Sequence, residues 1–211
     1  MIILDFGSGT TCKNDHAEIV KMIDGLAAVD TGKHEIIIKW QLFRDVFYQG
    51  AKLPELDQDV YLFAKDYAES CGYDTTASVF DKASLDFLLS TNPPFIKIAA
   101  RPDVYPLMAS IPYDMDIIVS APSVEDHDLL VGRPCVKAVL CCVPDYPADP
   151  TVYENQFSGL LHYGISDHTE DFYLFNKYRP LYAEFHYKLE DSTGVDAQDF
   201  ARTPEQLREI L

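Results

Sequence analysis

The sequence predicts an α/β fold, a compact (β/α)8 TIM barrel, on three observations. Eight short segments rich in β-branched and apolar residues recur along the chain. Helical patterns separate several of them. The first segment runs into Gly7-Ser8-Gly9-Thr10-Thr11-Cys12, which lacks the third glycine of the Gly-x-Gly-x-x-Gly turn that marks an open dinucleotide-binding sheet. Alternating strands and helices imply parallel strands joined by right-handed crossovers, and eight such units close into a barrel rather than leave two edges.

In chain order, the first strand is expected at Ile2–Phe6, an apolar run interrupted by Asp5. Asn14 is the candidate cap of a helix over His16–Ala28, which places Ile19, Ile23 and Leu26 on one face. Ile36–Trp40 is the second strand, and a helix over Asp57–Ser70 follows, carrying Val60, Phe63 and Ala64. Thr75–Phe80, a short helix over Ser84–Leu89, and Phe95–Ala99 come next. Asp103–Ser110 and Val124–Val131 flank the fifth strand, Ile117–Ser120. They read as shortened returns, which is how 211 residues could hold a barrel that usually takes about 250. Strands over Val136–Val143, Tyr163–Ser166 and Ala183–Leu189 complete the eight. Thr203-Pro204-Glu205-Gln206 opens a last helix toward Leu211 with an N-cap, a first-turn proline and an acid.

A composition of 47% hydrophobic and 24% charged residues suits one core, so residues 1–211 are expected to form a single domain. No run of about 18 apolar residues occurs, which predicts a soluble, cytoplasmic chain with no membrane partner. The formal charge of −17 would repel a phosphate backbone and argues against nucleic acid. Five cysteines without Cys-x-x-Cys spacing support neither a disulfide framework nor a zinc knuckle. Cys141 and Cys142 lie inside an apolar strand and receive no role. There is no internal repeat or low-complexity tract.

In such a barrel the site lies at the C-terminal ends of the strands, and those ends are polar here. Alternation makes Lys39 with Gln41, Ser166 with His168, and Glu184 with His186 same-facing pairs. A lysine inside an apolar strand is costly to bury without an anion. Each lysine could pair with a core carboxylate, but Lys39 and Lys97 together favour an anionic ligand such as a phosphate or carboxylate. His168 and His186, on neighbouring strands, could meet one divalent ion, although a lone histidine is ordinarily a structural residue. His16, His34, His127 and His162 have no comparable setting.

These segments resemble the N-acetylneuraminate (sialic acid) synthases, and the likeness runs through nearly the whole chain in order. The family's opening Glu-Ile-Gly appears as Asp5-Phe6-Gly7, and its Val-Lys-Phe-Gln as Ile38-Lys39-Trp40-Gln41. Its Ser-Thr-Pro-Phe-Asp and Ser-x-Asp-Phe-Leu appear as Ala77-Ser78-Val79-Phe80-Asp81 and Ser84-Leu85-Asp86-Phe87-Leu88. Its Phe-Lys-Ile-Ala-Ser is similar to Ile96-Lys97-Ile98-Ala99-Ala100, and its Cys-x-x-x-Tyr-Pro to Cys142-Val143-Pro144-Asp145-Tyr146-Pro147. The most specific pieces are Gly164-Ile165-Ser166-Asp167-His168-Thr169 and Glu184-Phe185-His186-Tyr187, followed by Gly194-Val195-Asp196.

The resemblance implies a (β/α)8 barrel enzyme, a transferase condensing phosphoenolpyruvate with N-acetylmannosamine or a related aldose. It implies that Lys39, Ser78, Lys97, Ser120 and Ser166 hold phosphoenolpyruvate with Gln41 nearby, and that Tyr146 and Asp196 contact the acceptor sugar. It further implies that His168 and His186 bind manganese or magnesium, and that Glu184 or Asp5 handles the proton of an attacking water. A homodimer is the expected assembly. Four departures stand out: Asp5 for glutamate, Ala100 for serine, Pro144 for asparagine or serine, and Ser8-Gly9-Thr10-Thr11 where the family has Asn-His-Asn-Gly. The chain is expected to be the barrel domain without the family's C-terminal antifreeze-like domain. The alternatives are a barrel that has become a binding or assembly module, and a metal-dependent aldolase or hydrolase.

Overall fold

Strands that bury both faces need cover inside and outside, and in this computed structural model they obtain it by closing on themselves. The structure describes residues 1–48 and 50–211. The chain forms β1 (Ile2–Asp5), β2 (Ile36–Leu42), a small hairpin of β3 (Phe47–Tyr48) and β4 (Ala51–Lys52), β5 (Asp74–Val79) and β6 (Ile96–Ile98). It continues with β7 (Ile117–Ala121), β8 (Val136–Cys142), β9 (Gly164–Asp167) and β10 (Tyr182–His186). All but the hairpin strands form one closed barrel in sequence order, with β1 flanked by β2 and β10. Its pairings are parallel, for example Asp5 beside Lys39 on one side and His186 on the other.

Each expected strand has its counterpart, with no end moved by more than three residues. The largest change is in β10, which ends at His186 rather than Leu189 because Tyr187 bridges to Arg202 instead.

Helices cover the outside. After the short α1 (Gly9–Cys12), α2 (His16–Ala27) buries Ile19, Met22, Ile23 and Leu26 at the spacing of one helical face. Its cap is Asp15, whose side chain accepts from the Ala17 N–H, and not Asn14. Asn14 instead serves the chain before the next helix, donating to the Glu55 carbonyl and accepting from the Asp57 N–H. α3 (Gln58–Ser70) buries Val60 and Ala64, and α4 (Lys82–Ser90) is capped by Asp81.

Of the two expected shortened returns, Tyr105–Ser110 is a 3-10 helix, whereas Val124–Leu130 is a true α helix, α5, capped by Ser123. Beside α1 and the β3–β4 hairpin, two helices had no assignment from sequence, α6 (Pro150–Gln156) and α7 (Tyr173–Tyr178). α8 (Pro204–Leu207) has the full reciprocal capping box of Thr203 and Gln206 but stops short of Leu211. No helix among the described residues is long and apolar enough to cross a membrane. All five cysteines are free.

Candidate active site

Alternation along the strands sends every second side chain into the barrel. Low in the interior these are apolar, and Ile3, Ile37, Phe95, Ile118 and Leu140 pack into one plug. Two residues further along each of those segments the inward residue becomes Asp5, Lys39, Lys97, Ser120 and Cys142. Ser78, Ser166 and Glu184 complete the same layer from β5, β9 and β10. Every barrel strand therefore places one polar side chain at one level. Gln41, His168 and His186 stand two residues higher, and all of these side chains line one cavity of about 390 Å³.

Charge at this level is paired. Lys39 Nζ donates to Asp5 Oδ2 at 2.6 Å and to Ser78 Oγ at 3.0 Å, and Gln41 Nε2 donates to the same Asp5 oxygen at 2.9 Å. Lys97 Nζ donates to Ser120 Oγ at 2.7 Å and to the Ile98 carbonyl at 3.0 Å. Glu184 lies between the two ammonium groups, 3.8 Å from Lys39 and 3.5 Å from Lys97. Ser166 Oγ donates to Glu184 Oε1 at 3.2 Å, leaving Oε2 buried without a hydrogen-bond partner.

The two lysines differ in consequence. Burial opposes the charge on Lys39, but Asp5 and Glu184 outweigh it and raise its pKa. Burial likewise opposes the Asp5 carboxylate, and the charges of Lys39 and His186 with two donated hydrogen bonds hold it well below the usual carboxylate range. For Lys97 burial wins over Glu184, and its pKa is lowered. Burial also pushes the Cys142 thiol up to about 12, so it is a neutral wall of the pocket.

Above this layer the two histidine rings meet edge to face with centroids 5.4 Å apart. His168 Nδ1 lies 2.8 Å from the Val143 carbonyl, so it carries the proton and Nε2 keeps its lone pair. Burial and the neighbouring His186 lower the His168 pKa to about 3, which keeps the ring neutral, as ligation requires. His186 Nδ1 is buried without a hydrogen-bond partner, 3.7 Å from Asp5 Oδ2 and 3.8 Å from Asp196 Oδ1. No group of three or more His, Cys, Asp or Glu side chains among the described residues has metal-site geometry. The donor set fits a divalent cation held by two imidazoles, with the remaining positions left to water and substrate oxygens.

The rim comes from loops. Tyr146 is half-exposed and stacks on His168 with centroids 4.2 Å apart. Asp196 arrives from the segment after the barrel and accepts from Gln41 Nε2 at 3.1 Å. Its approach depends on two glycines with positive φ. A Cβ on Gly7 would collide with Thr11 and crowd Asp196, and one on Gly194 would press on the Thr10 backbone. Phe43, Phe80, Ala100, Arg101 and Pro144 line the remaining mouth.

All twelve candidate residues from the sequence thus border one cavity. Several neighbours were missed, Phe43 and Arg101 at the mouth among them. Cys142 carried a readable signal, since it alternates with the inward Leu140. Phe200, edge-on to His186 at 4.9 Å, and the buried Arg202 carried none, because they lie beyond the last strand.

Among solved structures, the chain is similar to an N-acetylneuraminic acid (sialic acid) synthetase from Leptospira borgpetersenii serovar Hardjo-bovis. The TM-score is 0.78 at 20% identity, covering 99% of this chain and 80% of that one. A spore coat polysaccharide biosynthesis protein spsE from Bacillus subtilis gives 0.75 at 20% identity, covering 99% of this chain and 65% of that one. A truncated 3-deoxy-D-arabino-heptulosonate 7-phosphate synthase from Thermotoga maritima gives 0.62 at 9% identity, covering 99% and 83%. At these identities the likenesses show the barrel fold. Comparison with curated proteins returned no match. The NeuB family model matches residues 17–211, which takes in every barrel strand but the first, and the chain belongs to the NeuB family.

Proposed function

We propose that this protein condenses phosphoenolpyruvate with an aldehyde sugar, N-acetylmannosamine or a related aldose, to give a 2-keto sugar acid and inorganic phosphate. The observation that carries the reading is the closed polar layer: two buried lysines share one carboxylate directly beneath the paired rings of His168 and His186. Membership of the NeuB family, and likeness to a sialic acid synthetase and a heptulosonate phosphate synthase, support the same chemistry.

Lys97, with the Ser120 hydroxyl 2.7 Å away, binds the phosphate, while Lys39, Ser78 and Ser166 orient the rest of phosphoenolpyruvate. Gln41, Asp196 and Tyr146 face the acceptor, whose aldehyde carbon forms a bond with C3 of phosphoenolpyruvate. Water then adds at C2, and the tetrahedral intermediate expels phosphate through C–O cleavage. Glu184 takes the proton from that water, because its Oε2 faces Lys97 at 3.5 Å and accepts no hydrogen bond. Asp5 is the weaker base, since its carboxylate is held well below the usual range, and it acts as the counter-ion of Lys39. His168 and His186 would hold manganese or magnesium, which supplies Lewis-acid polarisation of the aldehyde oxygen.

The test is phosphate release from phosphoenolpyruvate across a panel of aldoses with manganese. Phosphate is expected only when both an aldose and the cation are present. A folded, cation-loaded protein that releases none with any aldose rules the reaction out.

A further inference from the structure

Among the buried charges that the candidate site leaves without a task is Arg202. Arg202 is fully buried, although arginine is rarely so unless it is paired. Its backbone N–H donates to the His186 carbonyl at 2.8 Å, and its own carbonyl accepts from Lys188 at 2.9 Å. Up to Phe185 the neighbour of β10 on this side is β9, where Phe185 pairs with Asp167. Beyond that point β9 turns away, and Arg202 pairs with Tyr187 in its stead.

The side chain reaches back across the gap this leaves. Nη2 donates to the carbonyls of Thr169 at 2.6 Å and Asp171 at 2.7 Å, and Nη1 donates to that of Phe200 at 3.2 Å. The guanidinium lies over the Phe172 ring, 5.0 Å from its centroid. One residue thus ties down both strand ends that carry the histidines, His186 through its own carbonyl and His168 through the carbonyl of the next residue. None of these hydrogen bonds ends on a carboxylate. All three side-chain bonds end on main-chain carbonyls, the geometry of a group that fixes backbone rather than one that neutralises charge.

We propose that Arg202 is a positioning residue for the histidine pair. It sets the spacing of the β9 and β10 ends so that the free ring nitrogens of His168 and His186 converge on one divalent cation. The inference rests on reading that pair as a cation site. Groups one layer behind metal ligands act this way by fixing ligand orientation, and their loss costs about 10-fold to 100-fold in metal affinity.

The test is calorimetric titration of manganese into the full chain, wild type, Arg202→Met and Arg202→Lys, beside phosphoenolpyruvate binding by the metal-free proteins. Arg202→Met is expected to weaken manganese by about 10-fold to 100-fold and to leave phosphoenolpyruvate binding unchanged. Arg202→Lys, which keeps a donor, recovers part of the loss. A folded Arg202→Met protein with wild-type manganese affinity overturns the positioning role. So does an equal loss of manganese and phosphoenolpyruvate affinity, which marks a general structural part. Wild-type protein that takes up no manganese sinks the cation reading itself, and the clamp with it. If Arg202→Met does not fold, Arg202→Gln, which retains an amide donor, serves in the same comparison.

Discussion

The floor of the cavity and its rim are built by different means. The floor takes one side chain from each barrel strand, and these are buried and bonded to one another. The rim is set by loops, with Arg101 paired to the exposed Asp103 two residues away and resting near Phe80. Exposed pairs of that kind contribute little. A floor residue therefore serves fold and chemistry together, whereas a rim residue can change with small consequence for the barrel. The departures at Ala100 and Pro144 fall on the rim, and only Asp5 falls on the floor.

The sharpest division between the two regions comes from Lys97→Ala. Loss of a preorganised cation at a reacting phosphate is expected to lower kcat/KM for phosphoenolpyruvate by about 10²-fold to 10³-fold, read by steady-state phosphate release. A variant within about tenfold of wild type would erase the functional claim on the floor. Next is Asp5→Asn, which leaves the buried Lys39 with Glu184 at 3.8 Å as its remaining ion pair among the described residues. Breaking a buried pair costs about 3–5 kcal/mol, so the urea midpoint should fall steeply. An unchanged midpoint would mean the floor does not support the fold.

At the rim, Phe80→Ala is expected to raise the KM of the acceptor by about tenfold and to leave the KM of phosphoenolpyruvate where it was, since one apolar contact is worth about that much. Equal changes in both constants would blur the boundary between the regions.

The smallest effect is in pH. Burial lowers the Lys97 pKa, so phosphoenolpyruvate binding should be lost on an alkaline limb below the usual lysine value of about 10.4. Glu184 opposes that shift, so Glu184→Gln should move the limb lower still. The sign for stability is opposite. Between the lowered value and about 10.4 the unfolded chain holds the Lys97 proton more tightly, so this residue's contribution to stability rises with pH while binding falls. Binding and stability lost together over that window would assign the limb to another group.

Much of the floor was legible in the linear chain because strand facing is a local property. Lys39 with Gln41 and Glu184 with His186 share a face through the two-residue period alone, and the barrel then brings those faces to one axis. Cys142 was equally legible by this rule and was passed over because a cysteine in an apolar run reads as core. The cap of α2 was misplaced by one residue because Asn14 and Asp15 are both good caps, and only the packing against Glu55 and Asp57 separates them. The rim was legible only through the family resemblance, since loop residues follow no period.

The sequence by itself determined the number of barrel strands, their parallel order and the side chains that face inward, since these follow from periodicity and from the closure of eight units. Tertiary structure alone decided that Asp5 belongs to Lys39, that Glu184 is shared by two lysines, and that Arg202 occupies the ladder place β9 leaves. The physical reason is range. A strand's facing is set within two residues, whereas a hydrogen bond between positions 33 apart, such as Arg202 to Thr169, exists only once the chain has closed.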